Sequence, residues 1–116
     1  DPRAALHPGL EVRPGDLQGR KTLYSAFFPD ASDLPGRLAE RSIDTVLIAG
    51  AVTHVCCEAS ARDAYSCGFR TVLLADACLG TEPEHRVALA SVYRNFGDIR
   101  TTAEAIGLLQ GGAGGE

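Results

Sequence analysis

Residues 44–68 read DTVLIAGAVTHVCCEASARDAYSCG, and a change of period inside them decides the fold. Val46, Leu47, Ile48 and Ala49 form a continuous apolar run with a β-branched bias, the pattern of a strand buried on both faces of a parallel sheet. Gly50 breaks the run. Beyond a Thr-His-Val-Cys turn, Cys57, Ala61, Ala64 and Gly68 recur at helical spacing on one narrow face, with Gly68 closing the helix as its C-terminal glycine. Cys56 therefore lies between the carboxyl end of a strand and the first turn of a helix, the place where open α/β sheets bind ligands. The free N–H groups and positive dipole end there favour thiolate over thiol. Position makes Cys56 a candidate nucleophile; the competing reading is a small buried hydrophobe, the common state of a free cysteine.

Outward from this stretch the pattern repeats. Arg70 to Ala75 (RTVLLA) reads as a second buried strand ending at Asp76, whose carboxylate is placed to tie down the following loop. Leu89, Val92, Tyr93 and Phe96 fit one face of an amphipathic helix opened near Glu82 to Glu84, with Pro83 in its first turn. Asp98 to Thr101 is a minimal strand, Thr102 caps a helix through about Gln110, and Gly111 to Glu116 reads as a flexible tail. Upstream, Ser32 or Asp33 can cap a short helix that tolerates Pro35, pairs Leu34 with Leu38 and ends near Arg41 to Ser42. Lys21 to Phe28 (KTLYSAFF) reads as a short strand stopped by Pro29, and the Pro- and Gly-containing residues 1–19 as an irregular approach. Strands and helices alternating at these lengths give an α/β three-layer sandwich with a mostly parallel sheet and right-handed crossovers. The domain spans 1–110 and the tail 111–116.

Composition narrows the function classes. A chain of 116 residues is one domain at most, long enough for a core but short for a complete α/β enzyme. With Lys+Arg 11 against Asp+Glu 15 and a net charge of -4, the basic residues form no stripe to track phosphates, so no nucleic-acid partner is expected. No run of about 18 apolar residues is present, so no membrane span is expected. Two of the four cysteines are adjacent and none has metal-ligand spacing with a histidine, which points to a reduced, cytoplasmic protein with no cofactor and no metal held by these residues.

Three segments together resemble the isochorismatase-like cysteine hydrolases, the family of nicotinamidases, N-carbamoylsarcosine amidases and ureidoacrylate amidases. They are KTLYSAFF at 21–28, GAVTHVCCEASARDAYSCGF at 50–69 and LLADAC at 73–78, so the resemblance runs from about Lys21 to Ile106. It implies a triad of cysteine, lysine and aspartate, onto which Cys56 and Lys21 map. It also implies a cis peptide at Ala51–Val52 that turns the backbone N–H groups of Val52 and Cys56 toward the substrate oxygen, as an oxyanion hole. The triad aspartate of the family lies on its first strand, and no residue here takes that role; Asp1, followed by Pro2, is in the wrong context. The metal ligands of the nicotinamidase branch come from the same upstream region, so a metal is expected only if that region supplies them. The first two family strands lie between the strand after the lysine and the strand before the cysteine. The expectation is therefore a C-terminal portion of a longer fold, needing an N-terminal segment, with the homo-oligomeric assembly common in the family.

The function implied is hydrolysis of a C–N bond in a small amide or carbamoyl substrate through a thioester. A catalytically incomplete fragment or non-enzymatic α/β assembly module is the alternative. Vinyl-ether hydrolysis of isochorismate is disfavoured by the cysteine. Among neighbouring residues, His54 is a candidate for the substrate pocket rather than for general base, and Tyr24 and Phe27 for pocket lining or core. Cys57 is expected to pack beside Ala61 and Ala64, Cys67 and Cys78 to be structural, His7 and His85 to be surface or capping residues, and the Glu58–Arg62 pair to decorate a solvated face.

Overall fold

The computed structural model describes residues 5–115, with side chains to residue 111; the first four residues of the approach segment and Glu116 of the tail lie outside it. Three strands, β1 (Thr45–Ala51), β2 (Arg70–Leu79) and β3 (Asp98–Arg100), form a parallel sheet in the order β1-β2-β3. The helices are α1 (Leu34–Glu40), α2 (Glu58–Ser66), α3 (Glu84–Asn95) and α4 (Thr102–Gly115). A π-helical turn, Thr53–Cys57, joins β1 to α2. No helix is long and apolar enough to cross a membrane among the described residues.

The alternation of side chains along the strands sorts the three layers. Val46, Ile48, Leu73 and Ile99 point to the face covered by α2 and α3, where they meet Cys57, Ala61, Val92 and Cys78 in the main core. Leu73 and Val92 are fully enclosed, each stabilising the fold by roughly 1.5–3 kcal/mol. The alternate residues, Leu47 and Val72, face α4 across a groove closed by Ala105, Leu108 and Leu109. That side is thinly covered: Leu47 is 41 % exposed. The expectation of a strand buried on both faces is thus corrected for β1, because α4 covers its second face only in part and its outer edge pairs with no strand among the described residues.

β1 and β2 both run longer than the apolar runs alone imply. β1 continues through Gly50, at φ 127°, to Ala51. Opposite it, Ile48 aligns with Leu73 and Gly50 with Cys78, so two steps on β1 match five on β2. The extra residues form a bulge that carries Asp76 out of the ladder, where its carboxylate accepts from both the N–H (2.7 Å) and the hydroxyl (2.8 Å) of Thr102 at the start of α4. These bonds hold the Asp76 carboxyl below its ordinary range.

Lys21 to Phe28 is not a strand. The Ser25 hydroxyl accepts from the N–H groups of Phe27 and Phe28, each at 3.0 Å, and these local bonds replace a ladder with a tight turn. Its underside still packs: Phe27 joins Ala64 and Phe69 in a second core, edge to face with Phe69 at 5.5 Å, and Leu34 and Leu38 of α1 lie against it. In α3 the inward residues are Ala88 and Val92, while Tyr93 is exposed. α4 runs past Gln110 through the glycines read as tail.

Candidate active site

The turn after β1 is built to present Cys56. The Ala51–Val52 peptide is cis. The Val52 carbonyl accepts from the N–H groups of Val55 (3.1 Å) and Cys57 (3.2 Å), and the Thr53 carbonyl accepts from that of Glu58. Two five-residue loops therefore enclose Cys56, and neither bond to Val52 uses its N–H. Cys56 is half-buried and Cys57 buried, with all four cysteines free.

A cleft of about 310 Å³ opens at the carboxyl end of β1, lined by Lys21, Phe27, Gly50, Ala51, Cys56 and Ser60 among others. Cys56 and Lys21, 35 positions apart, thus share one wall-to-wall space. Ser60, one helical turn beyond Cys56, makes this juxtaposition: its hydroxyl accepts from the Ala26 N–H at 3.0 Å and pins the 21–28 segment to α2. The Ser32 hydroxyl donates to the Ala26 carbonyl at 2.8 Å from the other side. Sequence reading missed Ser60; its spacing of four from Cys56 was the available signal. The Lys21 ammonium itself is exposed and donates to the Leu23 carbonyl at 2.8 Å.

The other predicted pocket residues divide. Phe27 lines the cleft but is 4 % exposed and mostly core. Tyr24, 68 % exposed, borders a separate surface depression with Lys21, Thr22 and Leu23. His54 and Val52 do not line the cleft, and the Nδ1 of His54 is buried without a hydrogen-bond partner. A depression of about 870 Å³ lies at the opposite, amino end of the sheet, around Tyr65, Arg70, Tyr93, Arg94 and Phe96. It is larger, but it lies away from the carboxyl ends of the strands and borders no cysteine.

Electrostatics set apart the two buried cysteines, Cys57 and Cys78. Burial first, and then the neighbouring Cys78, push the Cys57 thiol up to about 12. Burial also raises Cys78, whose Sγ lies 3.6 Å from the Ile48 carbonyl. Both are protonated packing groups. Among the described residues no three His, Cys, Asp or Glu side chains gather to hold a metal, and no carboxylate lines the cleft.

A family model described as the isochorismatase domain matches residues 1–104. The chain is 34% identical over 109 residues to the ureidoacrylate amidohydrolase RutB of Methylobacterium radiotolerans, covering 90% of this chain and 42% of that protein. It is 34% identical over 117 residues to the maleamate amidohydrolase of Pseudomonas putida, covering 98% of this chain and 53% of that protein. A cysteine hydrolase from Pseudomonas syringae pv. phaseolicola shares its fold with a TM-score of 0.87 at 30% identity, over 95% of this chain and 56% of that one. The chain spans about half the length of the curated relatives it matches. A parallel sheet, a cysteine on a strand-to-helix turn and a family match over most of the sequence agree: the chain belongs to the isochorismatase family.

Proposed function

We propose that these residues carry the nucleophile side of a cysteine hydrolase that cleaves the C–N bond of a small amide or carbamoyl substrate. The observation that carries this reading is the shared cleft of Cys56 and Lys21 at the carboxyl end of β1. Similarity to amidohydrolases of maleamate and ureidoacrylate supports the bond type.

In the proposed reaction the Cys56 thiolate adds to the carbonyl carbon, and the oxyanion is received by the N–H of Cys56 and by that of Val52, whose peptide bond is shared with the cleft-lining Ala51. Such a donor is worth about 3 kcal/mol in the transition state. Collapse breaks the C–N bond and forms a thioester, while ammonia or an amine leaves with a proton delivered by a carboxylic acid. Water then cleaves the thioester, releasing the carboxylic acid product and the thiol. The carboxylate is the component these residues do not bring to the cleft, so it comes from polypeptide outside them, on a strand beside the open edge of β1. Lys21 keeps that carboxylate ionised between turnovers and orients it. The four free thiols fit a reducing compartment.

The test is ammonia release from a panel including maleamate, a ureido acid and nicotinamide, with the polypeptide that contains these residues. Release that disappears in Cys56→Ala and drops at least about 100-fold in Lys21→Met is the expected result. Turnover retained in Cys56→Ala overturns it. The unpaired edge of β1 favours one second reading, an assembly module, which predicts partner-dependent association and no thiol-dependent turnover.

A further inference from the structure

We infer that His85 is a positioning residue for Cys56, acting through Thr53. The inference rests on Cys56 as the nucleophile, but its test needs no turnover. Thr53 opens the π-helical turn directly after Val52 and is 0 % exposed, so its hydroxyl is out of reach of water. Its Oγ1 lies 2.7 Å from the Nδ1 of His85, at the start of α3. From the other side the end of β2 closes on it: a Cβ at Gly80 would stand 2.8 Å from the Thr53 Oγ1 and 3.1 Å from its Cβ.

Thr53 is thus clamped between the chain leaving β2 and the first turn of α3. His85 is itself fixed by its N–H, which donates to the Thr81 carbonyl at 2.8 Å. The same Thr53 supplies the carbonyl that accepts from the Glu58 N–H across Cys56. One residue therefore ties the cysteine turn to two distant elements, and His85 is the hydrogen-bonding half of that tie. A buried hydroxyl left without its partner repositions or opens its segment. His54, though two residues from Cys56, shows no bond at its Nδ1 that could serve this purpose.

The experiment measures the rate of Cys56 alkylation by iodoacetamide, site by site by mass spectrometry, with exposed Cys67 as internal reference. His85→Leu and Thr53→Val are each expected to slow Cys56 roughly tenfold while Cys67 is unchanged. The double variant is expected to fall no further than either single one, because both remove one bond. His85→Asn, which keeps a polar atom near the Nδ1 position, restores most of the rate, and His85→Gln does not. A Cys56 rate in His85→Leu within about twofold of the parent, or single effects that multiply in the double variant, overturns the inference. If His85→Leu unfolds, seen as labelling of Cys57 and Cys78, the Asn and Gln variants decide, and equal rates in the two overturn it. A parent Cys56 no faster than Cys67 removes the nucleophile reading and this inference together; a fast Cys56 indifferent to His85 removes this inference alone.

Discussion

Cys56 and Cys57 share a peptide bond and differ in almost everything that governs a thiol. Cys56 is half-buried against an open cleft at a helix N-terminus, whereas Cys57 is enclosed with Cys78 and Ile48 in the main core. Iodoacetamide near neutral pH is therefore expected to label Cys56 and the exposed Cys67 in the folded chain, and to reach Cys57 and Cys78 only after denaturation; peptide mapping checks this. Cys57 also sets a stability window. Its thiol has an ordinary value of 9.0 and is held at about 12 in the fold, so below pH 9.0 neither state ionises and its contribution is fully present. Above that only the unfolded chain releases the proton, and stability falls as pH rises toward about 12, by at most about 1.4 kcal/mol per pH unit. Urea midpoints near pH 8 and near pH 10.5 should differ more in the parent than in Cys57→Ala. The place of Cys56 on a strand-to-helix turn was legible from sequence because one local signal, strand to glycine to turn to helix, fixes it. The contacts of Ser60, Thr53 and His85 were not, because each joins segments at least 32 positions apart.

At the scale of elements, the contacts that seat α3 are polar as much as apolar. Arg62 of α2 pairs with Glu58 at 2.7 Å, reaches the Ser91 hydroxyl at 3.2 Å and lies 4.6 Å from the centre of the Phe96 ring. The pair read from sequence as surface decoration is the middle of a bridge between helices. Arg62→Ala is expected to cost about 1 kcal/mol, the sum of an exposed i,i+4 pair and a cation–π contact, measured by urea denaturation. Gly97 makes a tighter demand at the turn from α3 into β3. A Cβ there would fall inside the Thr71 carbonyl, a backbone group of the central strand that cannot step aside. Gly97→Ala should destabilise by about 1–3 kcal/mol, whereas Gly36→Ala, where a Cβ meets nothing, should be neutral or mildly stabilising. Helices and strands with a clean period were readable because period alone places them. KTLYSAFF was not: its aromatic, β-branched composition fits a strand, but Ser25 satisfies the backbone locally, and only the fold reveals that competition.

For the molecule as a whole, the three-layer arrangement follows from sequence pattern, while its coverage does not. α2 and α3 seal one face of the sheet, but α4 leaves Leu47, Leu108 and Leu109 exposed across the other. β1 also has no strand paired along its outer edge among the described residues, next to the cleft that holds Cys56 and Lys21. An edge strand that is apolar and carries no lysine is a template for another strand. A run such as Val46 to Ala49 cannot tell an edge from a centre, because composition reports what a strand is suited to meet rather than what lies beside it. The 116-residue polypeptide on its own is therefore expected to associate in a concentration-dependent way, followed by sedimentation velocity. Leu47→Lys places a charge on the exposed face of that edge outside the main core, and should shift the species toward monomer. A strand supplied in register by other polypeptide should have the same effect on association and, if it brings a carboxylate to the cleft, should also switch on ammonia release. Association insensitive to Leu47→Lys would place the contact on α4 instead, and the corresponding change at Leu109 would then be the one that breaks it.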